Sequence, residues 1–338
     1  MTPSSNRRIP VWLWAATLLI LGVAAGLLIF TDRCDDLSDT FRLDLAPYKE
    51  VAPERVLYEE AAQLDPKLED LRAVAVGTDG RVYVCGDENL VIYDPDGKEA
   101  GRRPLSAAPN CVAVAPDGTI FLGLRDHVEV LRPDGAPQAV WDRLDEDSFI
   151  TSIALGEDGV YVADAAQRVV LRFDRNGALL AKIGEADEAR KIPGFIVPNP
   201  RFDVAVDPQG AFWAANPGRH GLENYRANGD LVSAWYRPSM EIEGFCGCCN
   251  PIHIAFRSDG MLVTAEKGIA RIKLYTPDQA LAGLVAAPSA FEDTEESTFS
   301  GELETPIRDL AVDARNRVLV VDGRRRLVRI FAPKEQAS

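Results

Sequence analysis

Three of the chain's six cysteines fall within four positions, in the run Phe245-Cys246-Gly247-Cys248-Cys249-Asn250-Pro251, and His253 follows closely. Thiols this close together support three kinds of chemistry. In an oxidising compartment they pair, Cys248 with Cys249, or Cys246 or Cys249 with the distant Cys111. Soft thiolates beside an imidazole ligate copper or zinc, which makes Cys246, Cys248, Cys249 and His253 a candidate metal set. A close pair also supplies the attacking and resolving sulfurs of a redox centre. Cys246 and Cys249 form one Cys-x-x-Cys pair, but a zinc finger or ribbon needs a second, and the sequence has none. A phosphate loop, a dinucleotide glycine fingerprint, His-Glu-x-x-His and Gly-x-Ser-x-Gly are likewise missing from it.

These residues are positioned by a repeat. From residue 71 one pattern returns six times: a short apolar strand, a tight turn, a second strand and a third. The copies begin at Ala73, Cys111, Ser152, Asp203, His253 and Asp309, and their turn residues are Gly80, Gly118, Gly159, Gly210, Gly260 and Asn316. Asp-Gly between alternating apolar residues favours a hairpin. Multi-stranded repeats of about 40 to 50 residues indicate the blades of a β-propeller. The fold class is therefore all-β, a six-bladed propeller. The sixth copy ends without a fourth strand, and Arg55 to Glu60 is expected to fill that place and close the ring.

Aligning the copies gives two columns of candidate site residues. The starts of the first strands give Ala73, Cys111, Ser152, Asp203, His253 and Asp309. The ends of the second strands give Gly86, Leu124, Asp164, Asn216, Glu266 and Asp322. Antiparallel neighbours bring both columns to one mouth of the central channel, so Ser152, Asp203, His253, Asp309, Asn216 and Glu266 are the expected ligand-binding residues. Oxygen donors at Asp203, Asn216, Glu266 and Asp309 would suit calcium in a hydrolase. Within the second column, Asp164 with Arg168, Glu266 with Arg271 and Asp322 with Arg326 are expected as structural ion pairs. Cys85 is expected as a small buried hydrophobe, and His127 and His220 as exposed loop residues.

The runs PDGTIFLGL, EDGVYVADAAQRVVLRFDRNG and ARNRVLVVDGRRRLVRIF resemble NHL repeats over about residues 71 to 333. The resemblance implies a six-bladed NHL-like propeller and leaves function open, because the fold hosts lyases, lactonases, receptors and scaffolds. A more distant similarity is to calcium-dependent lactonase propellers. The Gly-Cys-Cys-Asn-Pro loop together with Glu266-Lys267-Gly268 resembles a group of bacterial exported NHL-repeat proteins, which implies that the cysteine loop is a deliberate feature.

Ahead of the repeats, Ile9 to Phe30 form 22 residues without a charge, long enough to cross a hydrocarbon core of roughly 30 Å. Arg7 and Arg8 precede the run; Asp32, Asp35, Asp36 and Asp39 follow it. The positive-inside rule then places residues 1–8 in the cytoplasm and exports the rest to the periplasm or cell exterior. The run exceeds a signal-peptide core and passes the small residues Val23-Ala24-Ala25, so it reads as an uncleaved anchor at 9–30. Residues 31–53 read as an acidic tether, and 54–338 as the propeller. With 37 Lys and Arg against 52 Asp and Glu, the net charge of −15 disfavours nucleic acid as a partner. The function expected is that of a membrane-anchored, extracytoplasmic module binding a protein or a ligand at one propeller face. A metal or redox protein, with copper, zinc or calcium as the ion, is the alternative.

Overall fold

The computed structural model describes residues 19, 45–292 and 305–335. The chain divides into two compact units, Met1–Pro47 and Tyr48–Ser338, and the second is the propeller. The expected anchor, Ile9 to Phe30, lies outside the described residues except for Leu19. Among the described residues no helix is long and apolar enough to cross a membrane.

The strands run in chain order as follows. Strand β1 is Tyr58–Leu64. Blade one is β2 (Leu71–Val76), β3 (Val82–Gly86), β4 (Asn89–Tyr93) and β5 (Glu99–Pro104). Blade two is β6 (Cys111–Val114), β7 (Ile120–Gly123), β8 (Val128–Leu131) and β9 (Pro137–Val140). Blade three is β10 (Ile150–Gly156), β11 (Gly159–Asp164), β12 (Val169–Phe173) and β13 (Leu179–Ile183). Blade four is β14 (Val204–Val206), β15 (Phe212–Asn216), β16 (Gly221–Tyr225) and β17 (Leu231–Tyr236). Blade five is β18 (His253–Phe256), β19 (Leu262–Glu266), β20 (Arg271–Tyr275) and β21 (Leu281–Ala286). Blade six is β22 (Ile307–Val312), β23 (Val318–Asp322) and β24 (Leu327–Pro333), with β1 as its fourth strand.

Each blade is a four-stranded antiparallel sheet, a meander in blades one to five and β22-β23-β24 completed by β1 in blade six. The innermost strands follow one another around the channel, β2 beside β6, then β10, β14, β18, β22 and β2 again. Their alternating Ala and Val side chains leave room for this crowding, while larger side chains fill the spaces between blades. Phe121, Trp141 and Phe173 pack between blades two and three, and Tyr161 stacks on Phe212 at 4.1 Å between blades three and four.

The hairpin turns follow the sequence. Asn316, the least typical turn residue, takes a left-handed φ of 59° and its N–H donates to the Asp313 carbonyl at 2.9 Å. Gly156 pairs directly with Gly159, whose φ is 153°. A Cβ at Gly159 would lie 2.6 Å from the Phe173 carbonyl oxygen. Gly159→Val is therefore expected to destabilise the protein by roughly 2 kcal/mol or more, read as a fall in urea midpoint. An unchanged midpoint would place the turn elsewhere.

Ring closure occurs three to four residues later in the chain than expected. Tyr58–Leu64, not Arg55–Glu60, pairs with β24, in register Tyr58 to Pro333 through Leu64 to Val328. Tyr58 and Leu64 are its buried ends, and this apolar pair sets the position of the strand. The preceding residues cross to blade five instead, where the Leu57 N–H donates to Leu284 O at 2.8 Å.

Candidate functional site

The long connections of the later blades run from an outer strand to the start of the next inner strand, so they gather at the mouth where the first-strand column begins. That column does come together. Ser152 Oγ donates to Asp203 Oδ1 at 2.5 Å. His253 Nδ1 lies 3.6 Å from Asp203 Oδ2 and 3.8 Å from Asp309 Oδ1. The carboxylates are also tied to backbone: Ile254 N–H donates to Asp203 at 2.7 Å and Val74 N–H to Asp309 at 2.9 Å. Each carboxylate thereby joins two blades. Because Nδ1 faces the acids, the ring atom left for a ligand is Nε2, which is buried and has no hydrogen-bond partner.

Asp309 is unusual. About a fifth of its side chain is reachable from the narrow channel, yet protein surrounds it. Removal from water pushes its pKa up to about 7, with His253 pulling it down and Asp203 adding to the rise. The folded state then holds a proton that the unfolded chain, with its ordinary value of 3.8, has released. Stability is expected to fall as pH rises from about 4 to about 7, and to change little through this group above that window. Urea midpoints between pH 5 and pH 8 should show the slope, and Asp309→Asn should flatten it. An equal slope in the variant would assign the titration to another group.

Above this ring is a cavity of about 540 Å³ lined by His253, Arg72, Asn110, Thr151, Asn199, Arg201, Lys267 and Arg308, among others. Its composition has a backbone cause. The pairing of β2 with β3 slips between Leu71 and Ala73, that of β10 with β11 between Ile150 and Ser152, and that of β22 with β23 between Ile307 and Asp309. Each slip is a bulge, which re-aims the extra residue. The three extra residues are Arg72, Thr151 and Arg308, and all three line the cavity. Arg201 comes from the connection between β13 and β14. Its guanidinium makes no hydrogen bond or ion pair among the described residues. Burial, followed by repulsion from Arg308, lowers its pKa to about 10.

The second column behaves differently. Asp164 accepts the backbone N–H groups of Phe149, Ala166 and Gln167 at 3.1 Å each and is not paired with Arg168. Asp322 bonds Arg325 at 3.0 Å and Arg329 at 3.3 Å, while Arg326 reaches Glu69. The expected pairs fail because Arg168 and Arg326 occupy left-handed turn positions, φ 55° and 58°. Arg271 is one residue further along, directly across from Glu266, and that ion pair forms as expected. A spacing of seven is the consistent rule: Asn216 donates to Glu223 at 2.8 Å, Lys273 to Glu266 at 3.1 Å, and Arg329 to Asp322 at 3.3 Å. These are diagonal cross-strand neighbours on one face.

The buried acid missed in the sequence, Glu223, follows from that rule. Glu223 accepts Tyr225 Oη at 2.5 Å and also Tyr236 Oη. Asn216 further accepts the Ile196 N–H at 3.0 Å. Asn216 and Glu266 are thus engaged inside blades four and five, and the expected calcium set with Asp203 and Asp309 is not assembled.

The cysteine loop rests on blade five. Lys273 Nζ donates to Gly244 O at 2.5 Å and lies 4.5 Å from the Phe245 ring centre. Its burial lowers its pKa to about 8 despite Glu266. Asn250 Nδ2 holds Cys246 O at 2.6 Å, and His220 Nε2 meets Gly247 O at 2.8 Å. His220 is therefore a loop anchor rather than a free surface residue. His127 is buried against Asp126, with Nδ1 2.7 Å from its carboxylate. The burial of His127 corrects the expectation of an exposed histidine there, while His220 stays partly exposed.

Cys246 turns inward toward Glu266, Arg271 and Lys273, where burial raises its pKa. Cys111 packs in blade two beside Gly123, and Cys85 is fully buried as expected. All five described cysteines are free, so the expected bridges from Cys111 to Cys246 or Cys249 are not formed. Cys248 and Cys249 are unbonded but adjacent, Sγ to Sγ 3.0 Å. Among the described residues no three His, Cys, Asp or Glu side chains are placed to hold one metal ion. The expected set of Cys246, Cys248, Cys249 and His253 is thus divided between the blade-five cluster, the cavity rim and the channel ring. Cys249 stays at the rim, accepting from Asn199 Nδ2 at 2.8 Å beside Lys267.

No protein-family model and no curated protein matches the chain. Its fold is similar to that of solved propellers. One is a protein of unknown function from Bacteroides thetaiotaomicron VPI-5482, with TM-score 0.58, 12% identity and coverage of 82% of this chain and 72% of that one. A streptogramin B lyase gives TM-score 0.56 and 10% identity over 81% of this chain and 97% of that one. Virginiamycin B lyase from Staphylococcus aureus gives TM-score 0.54 and 13% identity over 78% and 82%. At these identities the likeness shows the fold alone.

Proposed function

We propose that this chain is a membrane-anchored, extracytoplasmic binding module of NHL type, which receives a ligand or a segment of a protein partner at the mouth of its central channel. The observation that carries this reading is the cavity itself: three strand bulges aim side chains of three blades into one space above His253. The anchor at Ile9 to Phe30, with residues 1–8 cytoplasmic and the propeller in the periplasm or outside the cell, rests on the apolar run and its flanking charges. The repeat and the Gly-Cys-Cys-Asn-Pro loop support the NHL assignment.

Native mass spectrometry of the full chain in detergent, before and after denaturation, tests the module. A mass excess lost on denaturation is the expected result. A bare chain in preparations from its own membrane would count against it.

A second reading has one observation behind it, the 3.0 Å approach of Cys248 and Cys249. With Cys248 exposed and Cys249 behind it, the two would act as a dithiol centre, losing two electrons and two protons to an external disulfide. Equilibration with oxidised and reduced glutathione should then interconvert two forms differing by two hydrogens. A pair that stays reduced throughout would dismiss this reading.

A further inference from the structure

We propose that the channel mouth is an oxyanion site, which takes a small molecule bearing a carboxylate or phosphate group against Arg201 and His253 Nε2; this deepens the binding-module reading and rests on it. Two independent observations converge. The first is charge. In a chain of net charge −15, Arg72, Arg201 and Lys267 line a single cavity whose one lining carboxylate among the described residues is Asp70, with Asp309 beneath His253 also attracting Arg201. The Asp70 carboxylate is taken by Arg72 at 2.7 Å. A concave site whose lining carries a surplus of one sign of charge favours a ligand of the opposite sign.

The second observation is the floor. His253 is more than nine-tenths buried, its Nδ1 is directed at Asp203 and Asp309, and its Nε2 is without a partner. A buried polar atom left unsatisfied marks a place where a partner belongs. Nε2 donates to an oxyanion when it carries the ring proton; when the proton is on Nδ1 it accepts instead from a hydroxyl of the ligand, such as that of a hydrogen phosphate.

Arg201 fits the part of the principal contact. A guanidinium offers a planar fork that matches carboxylate and phosphate oxygens. Here it is held partly out of water, next to a like-charged Arg308, and makes no protein hydrogen bond or ion pair among the described residues. Such an arrangement costs stability when the cavity is empty and is relieved by an anion. A structural arginine has the opposite signature, because its removal would break contacts.

The test uses the full chain in detergent micelles at low salt, with inorganic phosphate and succinate as separate probes and chloride as the control. At least one probe should bind saturably by calorimetry and raise the melting temperature, and which one does so separates a phosphate from a carboxylate site. Arg201→Gln should weaken that probe by at least about tenfold while raising the melting temperature of the unliganded protein. Arg201→Lys, which keeps the charge and loses the fork, should fall between. The proposal is overturned if neither probe binds saturably, or if Arg201→Gln binds as the parent does. A neutral molecule retained in native mass spectrometry with no oxyanion binding would overturn the oxyanion class and leave the module standing; a bare chain with no oxyanion binding would remove both.

Discussion

Glu266→Gln should destabilise the protein by about 3–5 kcal/mol and release the cysteine loop from blade five. Glu266 is fully buried and, among the described residues, is the one carboxylate that pairs with both Arg271 and Lys273, which are also buried. The glutamine keeps the size of the side chain and one acceptor oxygen but removes the charge, leaving two cations in a space where burial already lowers the Lys273 pKa to about 8. Lys273 in turn holds the Ile242 and Gly244 carbonyls at 3.3 and 2.5 Å, and Tyr275 Oη holds the Glu243 carbonyl at 3.0 Å. A lysine that becomes neutral in the variant grips those carbonyls less well. Stability by urea unfolding is one measurement. The other is labelling of Cys246, which is 4% exposed in the parent; its peptide should react with a thiol reagent at least about tenfold faster, as expected for local opening. Protection of Cys246 equal to that of the parent would show that the loop is held by other contacts.

The propeller is legible in the sequence because its information is local and repeated. Tight turns between alternating apolar strands recur six times, four of them Asp-Gly, and alignment of the copies brings Ser152, Asp203, His253 and Asp309 to one ring, as the structure shows. The ion pairs are less legible because a hairpin pairs residues by strand register, not by nearness in the chain. Counting four from Asp164 or Asp322 lands on a turn residue that points outward, whereas counting seven from Asn216, Glu266 or Asp322 finds the true partner. The cavity was missed for a related reason. Its Arg72, Thr151 and Arg308 each stand one position before the aligned column, where a regular strand would turn them away from their neighbours in that column. Only the bulges re-aim them, and a bulge leaves no mark in a pattern of alternating hydrophobicity. Arg201 lies at the end of the long connection from β13 to β14, outside both aligned columns, so the alignment of repeats does not single it out.

A chain ending at Arg326, without β24, should fail to accumulate as a folded monomer. The loss is large for two reasons that act together. Val328, Ile330 and Phe331 are at most 5% exposed, and each contributes about 1.5–3 kcal/mol by burial, together comparable with the whole stability of an ordinary domain. Removing β24 also strands β1, whose partner in blade six it is, and exposes the edge of β23 to pairing with other chains. Arg329 concentrates the closure in one side chain: it reaches Glu60 of β1 at 2.5 Å, Asp322 of β23 at 3.3 Å and the Ala290 carbonyl at 2.7 Å, and it lies 5.3 Å from the Phe291 ring centre. Arg329→Met, which keeps the apolar stem, is expected to fold with a lower melting temperature and to leave Glu60 and Asp322 without their shared cation. The two variants together separate loss of the strand from loss of the charge. Size-exclusion chromatography and thermal unfolding are the readouts. A truncated chain that elutes as a monomer and unfolds cooperatively near the parent's temperature would mean that the ring closes without β1 and β24, contrary to the pairing seen here.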